Sequence, residues 1–389
     1  MDGSPNGDPL ARSDVILRAE AVARDTDCVR RIAAEIGDAP LSLVALFVSP
    51  EGDFGRIMRD AARAFGGVTV IGCTTAGELG GLGYTEGSVV AIGFPAHHFA
   101  SDSVLIPRLS RLDAPELVPR MIRTRARLTS ERPQWRTEFG FLLVDGLSLM
   151  EDRLAAACAD ALGPIPLFGG SAGDGTRFLE TAVSMNGQVY TDAAVLTYLR
   201  SDCRVEVFSL DHLQPTGRRM VVTRADPARR VVQEINAEPA AREYARLLGK
   251  DPEQLDTFTF AAHPVVVRIG GKHHVRAIQK VTRDGELIFF SAIEEGLVLT
   301  LADPEPMTRH LERELARLEA AGSLGAVIAC DCILRRMEAQ QKQMSRQISD
   351  ILARHRVTGF STYGEQFGPL HVNQTMTGVA IYRPDGDGA

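Results

Sequence analysis

Apolar runs of strand length alternate along the chain with amphipathic stretches of helical period. Leu41–Val48 reads LSLVALFV, a nearly continuous apolar run that predicts a strand buried on both faces. Residues 68–72, 88–94 and 140–144 have the same character. Val22, Val29, Ile32, Ala33 and Ile36 recur at roughly helical spacing and predict a helix before the first strand, and residues 55–65 predict another after it. Asn186-Gly187 between two short β-prone runs is a hairpin signal, because both residues accept the positive φ of a tight turn. Residues 205–222 read as strands interrupted by Pro215 and Gly217.

A second series begins near Val231. Pro239 stands at the front of a helix running to about Leu248, with Gly249 as its stop. Strands follow at residues 265–269, 275–281 and 287–290, with 283–286 as a turn. Pro304 and Pro306 open a charged helix ending near Gly322, and residues 326–329 form a short buried strand. Residues 333–355 predict one long helix with Met337, Met344, Ile348, Ile351 and Leu352 on a single face, and strands close the chain at 357–361 and 375–382. The expected fold class is α/β: two modules of mixed β-sheets flanked by helices, over residues 14–200 and 201–389, after a frayed tail over 1–13.

Composition narrows the function. Of 389 residues, 44% are hydrophobic and 24% charged, a globular profile. The net charge of -7 argues against nucleic acid as a partner, since such footprints are strongly basic. Arg229-Arg230 and Arg335-Arg336 are diluted by nearby acids and read as solvated faces. Cysteines at 28, 73, 158, 203, 330 and 332 show no disulfide framework, which fits a reducing compartment. No apolar run reaches the roughly 20 residues of a membrane helix, so no membrane insertion and a cytoplasmic location are expected.

One local pattern occurs three times: an apolar strand exits into small or hydroxyl residues, then glycine, then an acid. The copies are Thr74-Thr75-Ala76-Gly77-Glu78, Gly170-Ser171-Ala172-Gly173-Asp174 and Ser361-Thr362-Tyr363-Gly364-Glu365. Glycine allows close backbone approach, hydroxyls donate and accept, and the acid receives cationic or N–H groups, so these loops are candidate ligand contacts. The alternative is plain turn chemistry with a capping acid.

Enzymatic signals are sparse. Residues 169–173 match the Gly-x-Ser-x-Gly nucleophile pattern, but Gly175 is a poor helix start just beyond it, so hydrolysis through Ser171 is a minor reading. There is no phosphate loop or dinucleotide fingerprint. Cys330-Asp331-Cys332 lacks zinc-knuckle spacing and predicts a helix start capped by Asp331. No catalytic residue is assigned.

The three loops, together with Val222-Thr223-Arg224-Ala225 and Asn373-Gln374-Thr375-Met376-Thr377-Gly378, resemble the FIST family of sensory proteins, over nearly the whole chain and as an N-terminal and a C-terminal module. The resemblance implies a ligand-sensing input to a sensor histidine kinase or diguanylate cyclase, within two-component signalling, with amino acids among proposed ligands. The segments 211–217, 260–264, 330–336 and 371–375 resemble the nitric-oxide-sensing haem proteins of the family, which implies non-covalent haem b and nitric oxide as the signal. An axial histidine in an apolar pocket is then required. His371 ranks first and His212 second, while His97-His98, His273-His274, His310 and His355 lie in polar surroundings and are expected on the surface. The ligand pocket is expected between the modules, lined by Thr74, Thr75, Gly77, Glu78, Gly170, Ser171, Gly173, Asp174, Tyr363, Gly364, Glu365 and Asn373. A sensor of amino acids or another small molecule, without haem, is the alternative.

Overall fold

The computed structural model describes residues 14–269 and 271–384, so the expected tail lies outside the described residues. It is a mixed α/β structure in which one pattern occurs three times. The first repeat runs β1 (Leu17–Val22), α1 (Cys28–Ile36), β2 (Leu41–Val48), α2 (Phe54–Ala64), β3 (Thr69–Thr74), the hairpin β4 (Glu78–Gly80) and β5 (Gly83–Thr85), then β6 (Ser88–Pro95). The second runs β7 (Phe99–Pro107), α3 (Ala114–Glu131), β8 (Thr137–Val144), α4 (Glu151–Leu162), β9 (Leu167–Ser171), the hairpin β10 (Val183–Met185) and β11 (Gln188–Tyr190), then β12 (Ala193–Ser201).

The third repeat opens with β13 (Val205–Leu210) and is then interrupted. The insertion carries β14 (Leu213–Asp226), β15 (Val231–Ile235), β16 (Glu238–Pro239), α5 (Ala240–Leu248), α6 (Thr257–Ala262), β17 (Val265–Ile269), β18 (Lys272–Arg276), β19 (Ile278–Val281), β20 (Leu287–Phe289) and β21 (Val298–Pro304). The repeat resumes with α7 (Met307–Ala320), β22 (Leu324–Cys332), α8 (Ile333–Gln341), α9 (Ser345–Arg354), β23 (Val357–Thr362), the hairpin β24 (Glu365–Phe367) and β25 (Leu370–Val372), and β26 (Met376–Tyr382). Residue 200 lies at the end of β12, just before the turn that joins the second repeat to the third.

Each repeat builds one sheet on the same plan, with orders β1-β6-β2-β3, β7-β12-β8-β9 and β13-β26-β22-β23. The pairs β2–β3, β8–β9 and β22–β23 are parallel, and the flanking pairings are antiparallel. The hairpin of each repeat leaves its own sheet: β4 pairs with β23, β10 with β3 and β24 with β9. The exchange is cyclic and closes the three sheets around one core, where Phe47 stacks on Phe360 at 4.5 Å and Phe141 on Phe168 at 4.8 Å. The outer faces are covered by α1 and α2, by α3 and α4, and by α7 and α9. This two-sided cover explains the unbroken apolar strands.

The Asn186-Gly187 hairpin forms, with φ of 51° and 81°, and α5 ends on left-handed Gly249 as expected. Several expectations are corrected. The long helix over 333–355 is two helices, because α8 ends at Gln341 and Gln343 takes a φ of 56° just beyond it. Arg230, Arg335 and Arg336 are buried rather than solvated, each paired with buried or main-chain acceptors. Asp331 caps no helix: it lies in β22 and accepts from Arg335 Nε at 2.7 Å and Tyr84 Oη at 2.5 Å, while Cys332 occupies the cap position of α8. His310 and His355 are buried; Nδ1 of His355 faces Glu319 at 2.8 Å.

Candidate functional site

The three strand-end loops meet at one end of the closed barrel and interlock through their main chains. Gly173 N–H donates to Thr74 O (3.0 Å), Ala76 N–H to Ser361 O (2.9 Å) and Tyr363 N–H to Ser171 O (3.1 Å). A second set runs from Ser361 N–H to Gly77 O (2.7 Å), from Ser171 N–H to Gly364 O (2.8 Å) and from Thr74 N–H to Ala182 O (3.0 Å). Thr74, Ser171 and Ser361 therefore hold equivalent places around the ring.

Two loops repeat the same buried pair, Thr75 with Glu78 and Thr362 with Glu365. Burial pushes the Glu78 carboxyl up to about 7 against its hydrogen bonds from Thr75 and Ser88, and that of Glu365 to about 8 against those from Thr362 and Thr375. The second loop carries Ala172 and Val183 at the matching places. Its acid, Asp174, instead accepts from the N–H groups of Phe178 (2.8 Å), Leu179 (3.0 Å) and Glu180 (3.0 Å) and from the Tyr363 hydroxyl. Those bonds outweigh burial and hold its carboxyl below the usual range.

Of the predicted residues, Thr74, Thr75, Gly77, Glu78, Gly170, Ser171, Gly173, Asp174, Tyr363, Gly364 and Glu365 all lie in or against this ring. A cavity of about 180 Å³ opens beside it, lined by Ala76, Gly77, Gly175, Ile333 and Arg336. Arg336 spans Thr85 O at 2.8 Å and Glu86 at 3.0 Å there, and a Cβ on Gly77 would stand 2.3 Å from its guanidinium. A wider cleft of about 630 Å³ along β1, with Arg18, Glu20 and Arg356, includes none of the predicted residues.

His371 and Asn373 lie one layer further, where the inserted sheet covers the ring. Gln366 Nε2 donates to Ser171 Oγ at 2.9 Å and stands 3.3 Å from His371 Nδ1. Arg276, from the insertion, reaches His371 O at 3.4 Å, and Gln374 donates to Ala261 O at 2.8 Å. A Cβ on Gly364 would lie 2.8 Å from both His371 Nε2 and Asn373 Nδ2, so both groups face that glycine. Six buried polar atoms of this cluster have no hydrogen-bond partner among the described residues: Arg276 Nε, Gln366 Oε1, His371 Nε2, both amide atoms of Asn373 and Gln374 Oε1. Buried polar groups are nearly always paired, so such a concentration marks a place where a polar partner belongs. Tyr363, Phe178, Phe290 and Val275 pack together in one apolar cluster, with Phe178 stacked on Tyr363 at 4.2 Å. Burial lowers the His371 pKa, against the raising effect of Glu151 and Asp152, and keeps the imidazole neutral.

Sequence reasoning missed Gln366 and Arg276. Gln366 lies one residue beyond the third loop, and Gln374 stands inside the 373–378 motif; Arg276 comes from the insertion and carries no local signal.

His212 is elsewhere, in a buried chain of polar groups. Its Nε2 lies 2.9 Å from Glu338 and its Nδ1 3.1 Å from Arg335, so neither nitrogen is available to a haem iron. His371 offers an unpartnered Nε2, but Gly364 packs against it and its neighbours are amides and a guanidinium. Haem needs a flat, mainly apolar slot at its ligand. As packed, these residues do not fit it.

Ser171, bonded to an amide, has no general base among its described contacts. The interlocked loops and the unpaired polar groups beside them mark a candidate ligand site in a mixed α/β protein. The chain matches the FIST N domain over residues 42–238 and the FIST C domain over residues 240–368. It belongs to the FIST family, whose domains sense small ligands in signal transduction. No curated protein matches the chain significantly. Among the described residues, no helix is long and apolar enough to cross a membrane.

Proposed function

We propose that this protein senses a small polar metabolite of amino-acid type, held between the ring of strand-end loops and the inserted sheet. The supporting observation is the set of six unpaired donors and acceptors on His371, Asn373, Gln366, Gln374 and Arg276. Neutral amides and a neutral imidazole suit amide or ammonium groups, and Arg276 suits a carboxylate. Ligand bridging the two surfaces would tighten the insertion onto the ring, and that altered packing is the signal read by a partner sensor histidine kinase or diguanylate cyclase.

The test is thermal unfolding with a panel of amino acids, followed by calorimetric titration of the ligands that stabilise. A ligand that binds only the folded state at 100 times its Kd adds about 2.7 kcal/mol. Asn373→Ala and His371→Ala are expected to abolish that gain while unfolding cooperatively. Stabilisation that persists unchanged in both refutes the placement. The haem and nitric-oxide reading rests on the motif resemblance and on the unpartnered His371 Nε2. A Soret band in protein expressed with haem, lost in His371→Ala, would replace the metabolite reading.

A further inference from the structure

Two turns at the opposite end of the barrel bring together three side chains with metal-binding chemistry. The turn after β6, residues 96–98, joins the first repeat to the second; the turn after β12, residues 202–204, joins the second to the third. The antiparallel pairing of β7 with β12, in which Ser201 faces Phe99, sets these turns side by side. His98 Nδ1 lies 3.0 Å from Asp202 Oδ1, and Cys203 Sγ lies 3.6 Å from the same oxygen. All three ligand atoms fall within 4.8 Å of one another.

We propose that His98, Asp202 and Cys203 form a zinc site. Tetrahedral zinc with Zn–N and Zn–O of about 2.0–2.1 Å and Zn–S of about 2.3 Å requires its ligand atoms to stand about 3.3 Å (N to O) and about 3.5 Å (S to O) apart. The two separations here differ from those by only a few tenths of an ångström, and the third pair, His98 with Cys203, stands within 4.8 Å. Thiolate, imidazole and carboxylate are zinc's donor set, and sulfur selects against magnesium and calcium.

The surroundings support the same assignment. The buried Ser201 hydroxyl donates to His98 O at 2.7 Å and accepts from Cys203 N–H at 3.0 Å, tying both turns to one atom. Outer partners of this kind fix ligand orientation. Cys203 is fully buried, whereas the Asp202 side chain keeps 35% of its exposure, which gives the ion an entry path. The fourth position belongs to water or to exposed His97, whose ring centre lies 4.3 Å from that of His98. Binding converts the Cys203 thiol to thiolate and releases its proton to solvent, so affinity rises with pH. The ion would clamp the two junctions between repeats together, remote from the metabolite site and independent of it.

The test uses the full chain, freed of metal with a chelator and titrated with Co²⁺ and then Zn²⁺. A cobalt–thiolate charge-transfer band with the intense visible bands of tetrahedral cobalt is expected, displaced by zinc. Cys203→Ser should abolish the charge-transfer band, and His98→Asn should weaken zinc binding at least tenfold, as judged by chelator competition. Cys158→Ser, a buried thiol of the second repeat, should change neither. If Cys203→Ser fails to fold, His98→Asn and Asp202→Asn decide the matter, since both alter side chains on turns. No charge-transfer band in the wild type, an identical band in Cys203→Ser, or zinc affinity in His98→Asn within twofold of wild type would overturn the site.

Discussion

Glu365 allows a quantitative test of how the ring is held together. Its carboxyl is fully buried beside Asp331 and ringed by Thr362 and Thr375, and it takes up a proton at about pH 8 rather than 4.5. The folded protein holds that proton more tightly than the unfolded chain. The stability it confers is complete below about pH 4.5 and drains away until about pH 8, above which the loss is constant. At about 1.36 kcal/mol per pH unit, the full loss is about 5 kcal/mol, with roughly two-thirds of it gone at neutral pH. Glu365→Gln copies the protonated acid: its carbonyl can accept from Thr375, and its amide can donate to Thr362. Urea unfolding of wild type and variant at half-unit steps from pH 5 to 9 should show the variant gaining relative stability steadily up to about pH 8. Subtracting the two curves removes the contributions of the other titrating groups. Parallel curves throughout, or a difference that grows toward acid, would show that the buried carboxyl is ionised and that the reasoning is wrong.

Other changes probe neighbouring contacts. Arg335→Leu strands the buried Asp331 carboxylate and removes the contact to His212 Nδ1, and should cost about 3–5 kcal/mol by chemical denaturation. Gly364→Ala drives a methyl to 2.2 Å from His371 Cε1 and should abolish ligand-induced stabilisation, whereas Gly217→Ala, open on all sides, should leave it intact. Asp174→Ala removes three N–H contacts and the Tyr363 bond, and should lower stability by about 3 kcal/mol in thermal or urea unfolding at pH 7, with the gap narrowing in acid as the wild-type carboxyl protonates.

Much of the secondary structure could be read from the chain because the determining forces are local. Leu41–Val48 announces a doubly covered strand, Asn186-Gly187 a hairpin, and Gly249 a helix stop. The recurrence of hydroxyl, glycine and acid at strand ends also singled out residues that meet in space. What escaped was long-range. Nothing local tells that β4 will pair with β23 across 280 residues, or that β24 will cross to β9. Arg335 and Arg336 looked solvated because charge in sequence does not reveal that Asp331, Glu86 and main-chain carbonyls close around them. The sequence ranks His371 above His212 but does not reveal that His212 has both nitrogens occupied while His371 presents an orphan among the described residues.

The circular loan of hairpins has a mechanical consequence. If the chain were cut at residue 201, the upstream piece would retain β9 without β24 and a hairpin β4–β5 with nothing to join, while the downstream piece would keep β23 without β4. Each half would expose raw strand borders, the kind that invite sticking to other chains. Two polypeptides supplied together could heal one another, but neither would stand alone. A disturbance at any one of the three junctions must therefore be shared by all.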